Sequence, residues 1–136
     1  MAEWKSPTGH AGIGWYSEEK AYDGSLVYDS GYAHSKPILW HEYSDYLELT
    51  FPATLISKIR TYADYDFTCR EDINIYYDGA WHDLWFGYFD NYDRKWQTHV
   101  IGSEVTVTKI RIRFYNECES AYRGQYLGEV EYWDIT

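Results

Sequence analysis

Carboxylates stand two residues apart in pairs such as Asp64/Asp66 and Glu117/Glu119. Carboxyls held about 5–10 Å apart are what a glycosidase uses as its acid and base. With 22 acidic residues in 136, such pairs arise by chance, and nothing catalytic accompanies them. His10, His34, His41, His82 and His99 are scattered, with no Gly-x-Ser-x-Gly or Cys/His signature beside them. No zinc pattern is present either, because Cys69 and Cys118 are far apart and no His pair has ligand spacing. Catalysis is therefore not expected of this chain.

Ring chemistry remains. Aromatics make up 21% of the residues, as 16 Tyr, 7 Trp and only 5 Phe. A buried Tyr hydroxyl must find a hydrogen-bond partner, so this excess of Tyr over Phe implies many half-exposed rings. Sugar-binding faces and protein-recognition surfaces share that chemistry, and strand propensity alone also favours Tyr on a sheet. The net charge is −10, from 12 basic and 22 acidic residues. Such a field opposes nucleic acid and anionic lipid as partners. No apolar run approaches the roughly 20 residues that span a bilayer. Met1 to Gly9 include Glu3 and Pro7 and no apolar run, so no secretory leader is expected in that stretch.

The elements that must position these residues have a period of 2. Leu47, Leu49 and Phe51 share one face, as do Ile73, Ile75 and Tyr77, and Ile110, Ile112 and Phe114 opposite Arg111 and Arg113. Val130 and Tyr132 repeat the pattern against Glu129 and Glu131, and Leu55, Ser57 and Ile59 alternate after Pro52. Asp23-Gly24, Ser30-Gly31, Asp78-Gly79 and Gly102-Ser103 punctuate the runs, and Tyr77-Asp78-Gly79-Ala80 reads as a tight hairpin. Ser17 to Ala21 is the best helical stretch, with Ser17 as its cap. Residues 1–136 form one all-β domain, an antiparallel sandwich or barrel. Trp40-His41-Glu42 and Trp81-His82-Asp83 look alike, but their flanks do not match and no repeat follows.

The order of the motifs is more specific than the class. Ala21-Tyr22-Asp23-Gly24, Tyr46 to Phe51 followed by Pro52, Ile56 to Arg60, Ile73 to Trp81, Val107 to Ile112 and Gly128 to Tyr132 follow one another. This series resembles the discoidin, or factor V/VIII C-type, superfamily, which includes galactose-binding carbohydrate modules. The resemblance runs from about Ala21 to Trp133 and implies an antiparallel β-sandwich jelly roll. Tyr28 stands where the family has Thr, and an insertion near Val27 to Gly31 would bring Ala33-His34-Ser35 into line.

The family's functional positions carry over residue by residue. Its structural Ca²⁺ would rest on Asp23 and Glu129, with loop carbonyls completing the hard-oxygen shell; the alternative is that Asp23 only shapes a turn. Its ligand site implies three loops at one end of the sandwich. Trp15 and Tyr16 fall in the first, Asp64, Tyr65, Asp66 and Arg70 in the second, and Asn116, Tyr122 and Arg123 in the third, with His34 beside them. Rings there would stack on the C–H face of a pyranose, while Arg, Asn and carboxylates pair with hydroxyls. Loops rich in Asp, Glu and Tyr argue against a membrane. Cys69 and Cys118 lie in two of these loops, so either a disulfide fixes the loops to each other or two free thiols remain; a bridge would need an oxidising compartment. Trp81 is expected to be buried beside the hairpin. The expected function is non-catalytic glycan binding, in a homo-oligomer or a larger parent protein at an extracellular or virion surface. The alternative is a protein-interaction or structural module, such as a virion or adhesion component, that uses a Tyr-rich surface.

Overall fold

The computed structural model describes residues 2–12, 14–26, 32–64, 70–88, 95–117 and 125–136, with the backbone alone at Asp64 and Tyr88. The strands are β1 (Glu3–Lys5), β2 (Gly9–Ala11), β3 (Trp15–Tyr16), β4 (Ala33–Ser35), β5 (Glu42–Tyr43), β6 (Leu47–Asp64), β7 (Arg70–Tyr77), β8 (Ala80–Tyr88), β9 (Lys95–Asn116) and β10 (Tyr126–Asp134). Their hydrogen-bonded order is β3-β4-β10-β6-β9-β7-β8, with β1 on β10, β2 on β6 and β5 on β9, and every pairing is antiparallel. Among the described residues no helix is long and apolar enough to cross a membrane.

The long ribbon β6–β9 makes the sandwich. Its register breaks between Thr50 and Thr54 and again between Ile56 and Lys58. Pro52, which cannot donate a ladder hydrogen bond, sits in the first break. Leu47–Thr50 pairs with the end of β9 and joins β7 and β8, whereas Lys58–Ala63 pairs with its start and joins β10. The two halves then face each other. Leu49, Phe51, Ile73, Ile75, Ile110, Ile112 and Phe114 from one half meet Ile56, Ile59, Leu127, Val130 and Tyr132 from the other. Phe51 stacks on Tyr132 with ring centroids 4.0 Å apart, and Trp15 lies 5.8 Å from Phe114.

Three local expectations need correction. The alternation after Pro52 is out of phase, because Ile56 and Ile59 are buried while Leu55 is half-buried; the break after Ile56 resets the side-chain period. Residues Glu18–Ala21 form a short 3-10 turn, and Ser17 precedes it at φ 54° with no side-chain cap bond. Trp81 is half-buried on the outer face. The Asp78-Gly79 turn does form as expected, with φ of 52° and 77°. It sets Trp81 opposite Tyr76, and Ile73 and Ile75 already occupy the inner face. Trp81 meets Tyr76 edge-on at 5.2 Å and is covered by the Arg111 guanidinium at 4.3 Å.

That placement separates two aromatic truncations. Phe114→Ala removes a fully buried ring and should cost about 3–5 kcal/mol. Trp81→Ala removes a half-covered ring and one cation–π contact and should cost about 1–2 kcal/mol. Urea unfolding of both variants reads the difference, and equal losses would contradict this placement of Trp81.

Candidate functional site

The Asp-Gly loop folds over the outer side of β10. Gly24 takes φ 80° there, a conformation that glycine adopts without strain, and donates its N–H to Glu129 Oε2 at 3.0 Å. Asp23 Oδ1 accepts the Ser25 N–H at 2.9 Å and closes the turn through its side chain. Lys20 Nζ lies 3.8 Å from its other oxygen. Glu129 would point to solvent from a bare strand, but the loop leaves it only 1% exposed. The Ser6 hydroxyl reaches its Oε1 at 3.4 Å. Burial, reinforced by the charges of Asp23 and Glu131, pushes the Glu129 carboxyl up to about 8. Lys20 offsets Asp23, but the buried Glu129 beside it has no cationic partner among the described residues, and two such carboxylates are donors that suit a hard divalent ion. No group of three or more His, Cys, Asp or Glu converges to hold a metal among the described residues, so backbone carbonyls would have to supply the other ligands.

Trp15 and Tyr16 pair with Ser35 and His34, His34 with Tyr126, and Tyr126 with Asp64. Arg70 pairs with Tyr115, two residues from Glu117. The pairings therefore bring the strand ends that flank 65–69 and 118–124 to the same end of the sandwich as Trp15 and Tyr16. Tyr16 is 48% exposed and stacks on the half-buried His34 at 5.0 Å. Arg70 Nε donates to Glu117 Oε2 at 2.8 Å. Tyr65, Asp66, Cys69, Cys118, Tyr122 and Arg123, and the side chain of Asp64, lie outside the described residues.

Two expected ligand groups serve the scaffold instead. Trp15 is buried against Phe114, and its indole N–H donates to Asp45 O at 2.8 Å. Asn116 is fully buried and donates its amide to Ile38 O at 3.0 Å. Both hold residues 36–45, a segment the sequence left without an element or a role, and that segment carries the exposed chemistry. Trp40 is 55% exposed, lies 4.3 Å from the His41 ring and donates its indole N–H to Glu117 O at 3.1 Å. His41 holds φ 63°, and its backbone N–H bonds to Asn116 O. Tyr43 is 44% exposed. An open groove of about 600 Å³ runs between Tyr16 and Tyr43 and is lined by Lys36, Pro37, Ser44 and Asp45. Gly14 admits the Asp45 carboxylate, since a Cβ there would stand 2.1 Å from its Oδ2. Two tyrosine faces, one ammonium and one carboxylate thus line a shallow cleft. The sequence signal for this segment was the Trp40-His41-Glu42 cluster.

No family model matches this sequence, and no curated protein is significantly similar to it. Solved structures are similar along nearly the whole chain. The family 32 carbohydrate-binding module from C. perfringens NanJ, in complex with galactose, superposes with a TM-score of 0.64 at 15% identity, covering 98% of this chain and 93% of that one. A pectin binding carbohydrate binding module gives 0.70 at 14% identity, over 94% and 91%. Truncated AlyQ, which joins such a module to an alginate lyase domain, gives 0.69 at 13% identity, over 98% of this chain and 33% of that one. The antiparallel β-sandwich jelly roll implied by the motif order is the fold this chain shares with these modules.

Glu129 yields a test that needs no ligand. The metal-free folded chain keeps this proton up to about pH 8, whereas the unfolded chain releases it near the ordinary value of 4.5. The contribution of this group to stability is therefore fully present below pH 4.5 and is lost as pH rises to 8, by at most about 1.4 kcal/mol per unit. Glu129→Gln should flatten this slope in EDTA-treated protein and raise the melting temperature at pH 8. A slope unchanged by the substitution would contradict the assignment.

Proposed function

We propose that this chain is a non-catalytic glycan-binding module that takes its sugar at the loop end of the sandwich. The groove between Tyr16 and Tyr43 supports this reading most directly. Exposed tyrosine rings offer flat apolar faces to the C–H side of a pyranose, and Lys36 and Asp45 supply a donor and an acceptor for its hydroxyls. The fold neighbours are modules described with galactose or pectin, so the fold accommodates this use. Lys36 and Asp45 offset each other, while the chain as a whole carries −10. The preferred ligand is accordingly a neutral or amino sugar rather than a polyuronate.

Asp23 and Glu129 would hold a structural Ca²⁺, which would compensate the buried carboxylate and fasten the Asp-Gly loop to β10. The module would work at an extracellular or virion surface as part of a longer protein, as the AlyQ module is joined to a lyase domain.

Calorimetric titration with galactose, chitosan oligosaccharide and pectin fragments tests the site. Galactose or the amino sugar should bind and pectin should not, and Tyr16→Ala should weaken binding at least tenfold with little change in melting temperature. Binding unaffected by Tyr16→Ala would remove the groove from the ligand site. Added Ca²⁺ at a hundredfold excess over its Kd should restore about 2.7 kcal/mol to EDTA-treated protein; no response would end the metal proposal.

A further inference from the structure

A second groove lies on the flank, on the outer face of β9, β7 and β8. Its volume is about 410 Å³, within the roughly 300–1,000 Å³ of small-molecule sites. Tyr43 and Phe86 form its apolar side, 44% and 45% exposed, with ring centroids 6.4 Å apart. Arg113 crosses the floor. Its guanidinium is held 3.7 Å from the Tyr43 ring and 4.5 Å from the Tyr46 ring, and its Nε donates to Asp72 Oδ2 at 2.8 Å. Only that N–H is engaged among the described residues, so the Nη groups stand open in a fixed orientation. Asp83, on the next strand, is exposed and accepts from Asn74 with one oxygen, leaving the other open.

This arrangement has more order than a solvated sheet face needs. A guanidinium clamped between rings has already lost its rotamer freedom, so its remaining donors meet a ligand at little further entropic cost. Asp72 neutralises Arg113 and Asp83 adds one negative charge, which disfavours carboxylate and sulfate groups. Neutral hydroxyls suit the site: two vicinal ones can accept from the Arg113 fork and a third can donate to Asp83. Tyr43 lines both grooves, so the flank groove adjoins the loop groove at that ring.

We infer that this flank groove binds the internal units of a neutral oligosaccharide whose end occupies the loop groove. The inference rests on the glycan-binding reading and adds to it the class of ligand, a chain rather than a single terminal sugar.

Amide and side-chain NMR shifts of the wild-type protein, titrated with galactose and with galacto-, cello- and mannohexaose, separate the two sites. A hexasaccharide should perturb Phe86, Asp83 and Arg113 in addition to Tyr16 and Lys36, and should bind at least tenfold more tightly than its monosaccharide. Phe86→Ala and Asp83→Ala should abolish that gain and leave galactose binding at the loop groove unchanged. Shifts confined to the loop groove, with equal affinity for monomer and hexamer, would overturn the flank site and leave the loop site standing. Shifts at neither groove with any of these sugars would overturn both. The wild-type map decides the question even where a variant proves unstable.

Discussion

The folding of one two-stranded ribbon back on itself governs everything else in this molecule. β6 and β9 stay paired from Leu47 to Ala63, yet their apolar faces can be buried only against each other. The register break that contains Pro52 and the second one, which leaves residues 101–104 extra on β9, allow the ribbon to turn that corner. Its four ends then lie together at the opposite end of the sandwich. The connections 65–69, 89–94 and 117–125 all start from strand ends on that side. A single constraint, the burial of both halves of one ribbon, therefore gathers these strand ends at one end of the sandwich.

Once the inner faces are filled by Ile, Leu, Val and Phe, the outer faces explain the aromatic surplus. On one flank, Arg111 lies between Trp81 and Tyr46, and Arg113 between Tyr46 and Tyr43. On the other, Arg60 lies between Trp4 and Trp96, 4.2 and 4.0 Å from their rings, while its Nε donates to Glu131 at 2.8 Å. Each such contact contributes about 0.5–2 kcal/mol depending on how far it is desolvated. Tyr and Trp suit these positions better than Phe, because the ring is covered while its polar tip still reaches water. Tyr46, Trp81, Trp4 and Trp96 are thus engaged within the chain. Among the described residues the exposed Tyr, Trp and Phe rings are Tyr16, Trp40, Tyr43, Trp85 and Phe86; Tyr16 and Tyr43 line the loop groove, and Tyr43, Trp85 and Phe86 line the flank groove.

The strands were legible because period-2 alternation records burial directly. Leu47, Leu49, Ile73, Ile75, Ile110, Ile112, Phe114, Val130 and Tyr132 all reach the core. Asp78-Gly79 was legible because a two-residue hairpin demands positive φ and few sequences satisfy it. Within the loops the same reasoning lost its footing. Nothing in the local sequence says that Trp15 turns inward to Phe114 while Tyr16 turns outward, or that Asn116 spends its amide on Ile38 O. Those orientations depend on residues dozens of positions away, and so does the burial of Glu129 by a loop that begins more than a hundred residues earlier. Asp23 and Glu129 were found together only through the motif order, and residues 36–45 escaped for want of one.

A polar tie beneath the loops fixes the offset between the two halves. Glu71 on β7 lies 3.1 Å from His99 Nε2 on the first half of β9, and the Thr61 hydroxyl of β6 donates to the same oxygen at 3.2 Å. All three are buried, and Glu71 Oε2 has no partner among the described residues. An arrangement of this kind adds little net stability, because desolvation offsets its attraction. Breaking it is another matter, since a buried carboxylate left alone costs about 3–5 kcal/mol. Apolar packing is non-directional and tolerates a small slide of one sheet over the other; this contact does not. Thr61 and Glu71 stand close to the two ends of the 65–69 connection, and Arg70 follows directly from it. Holding these sheets in one offset therefore also holds the spacing of the rings and charges at the rim, which a weak ligand touching several loops at once requires.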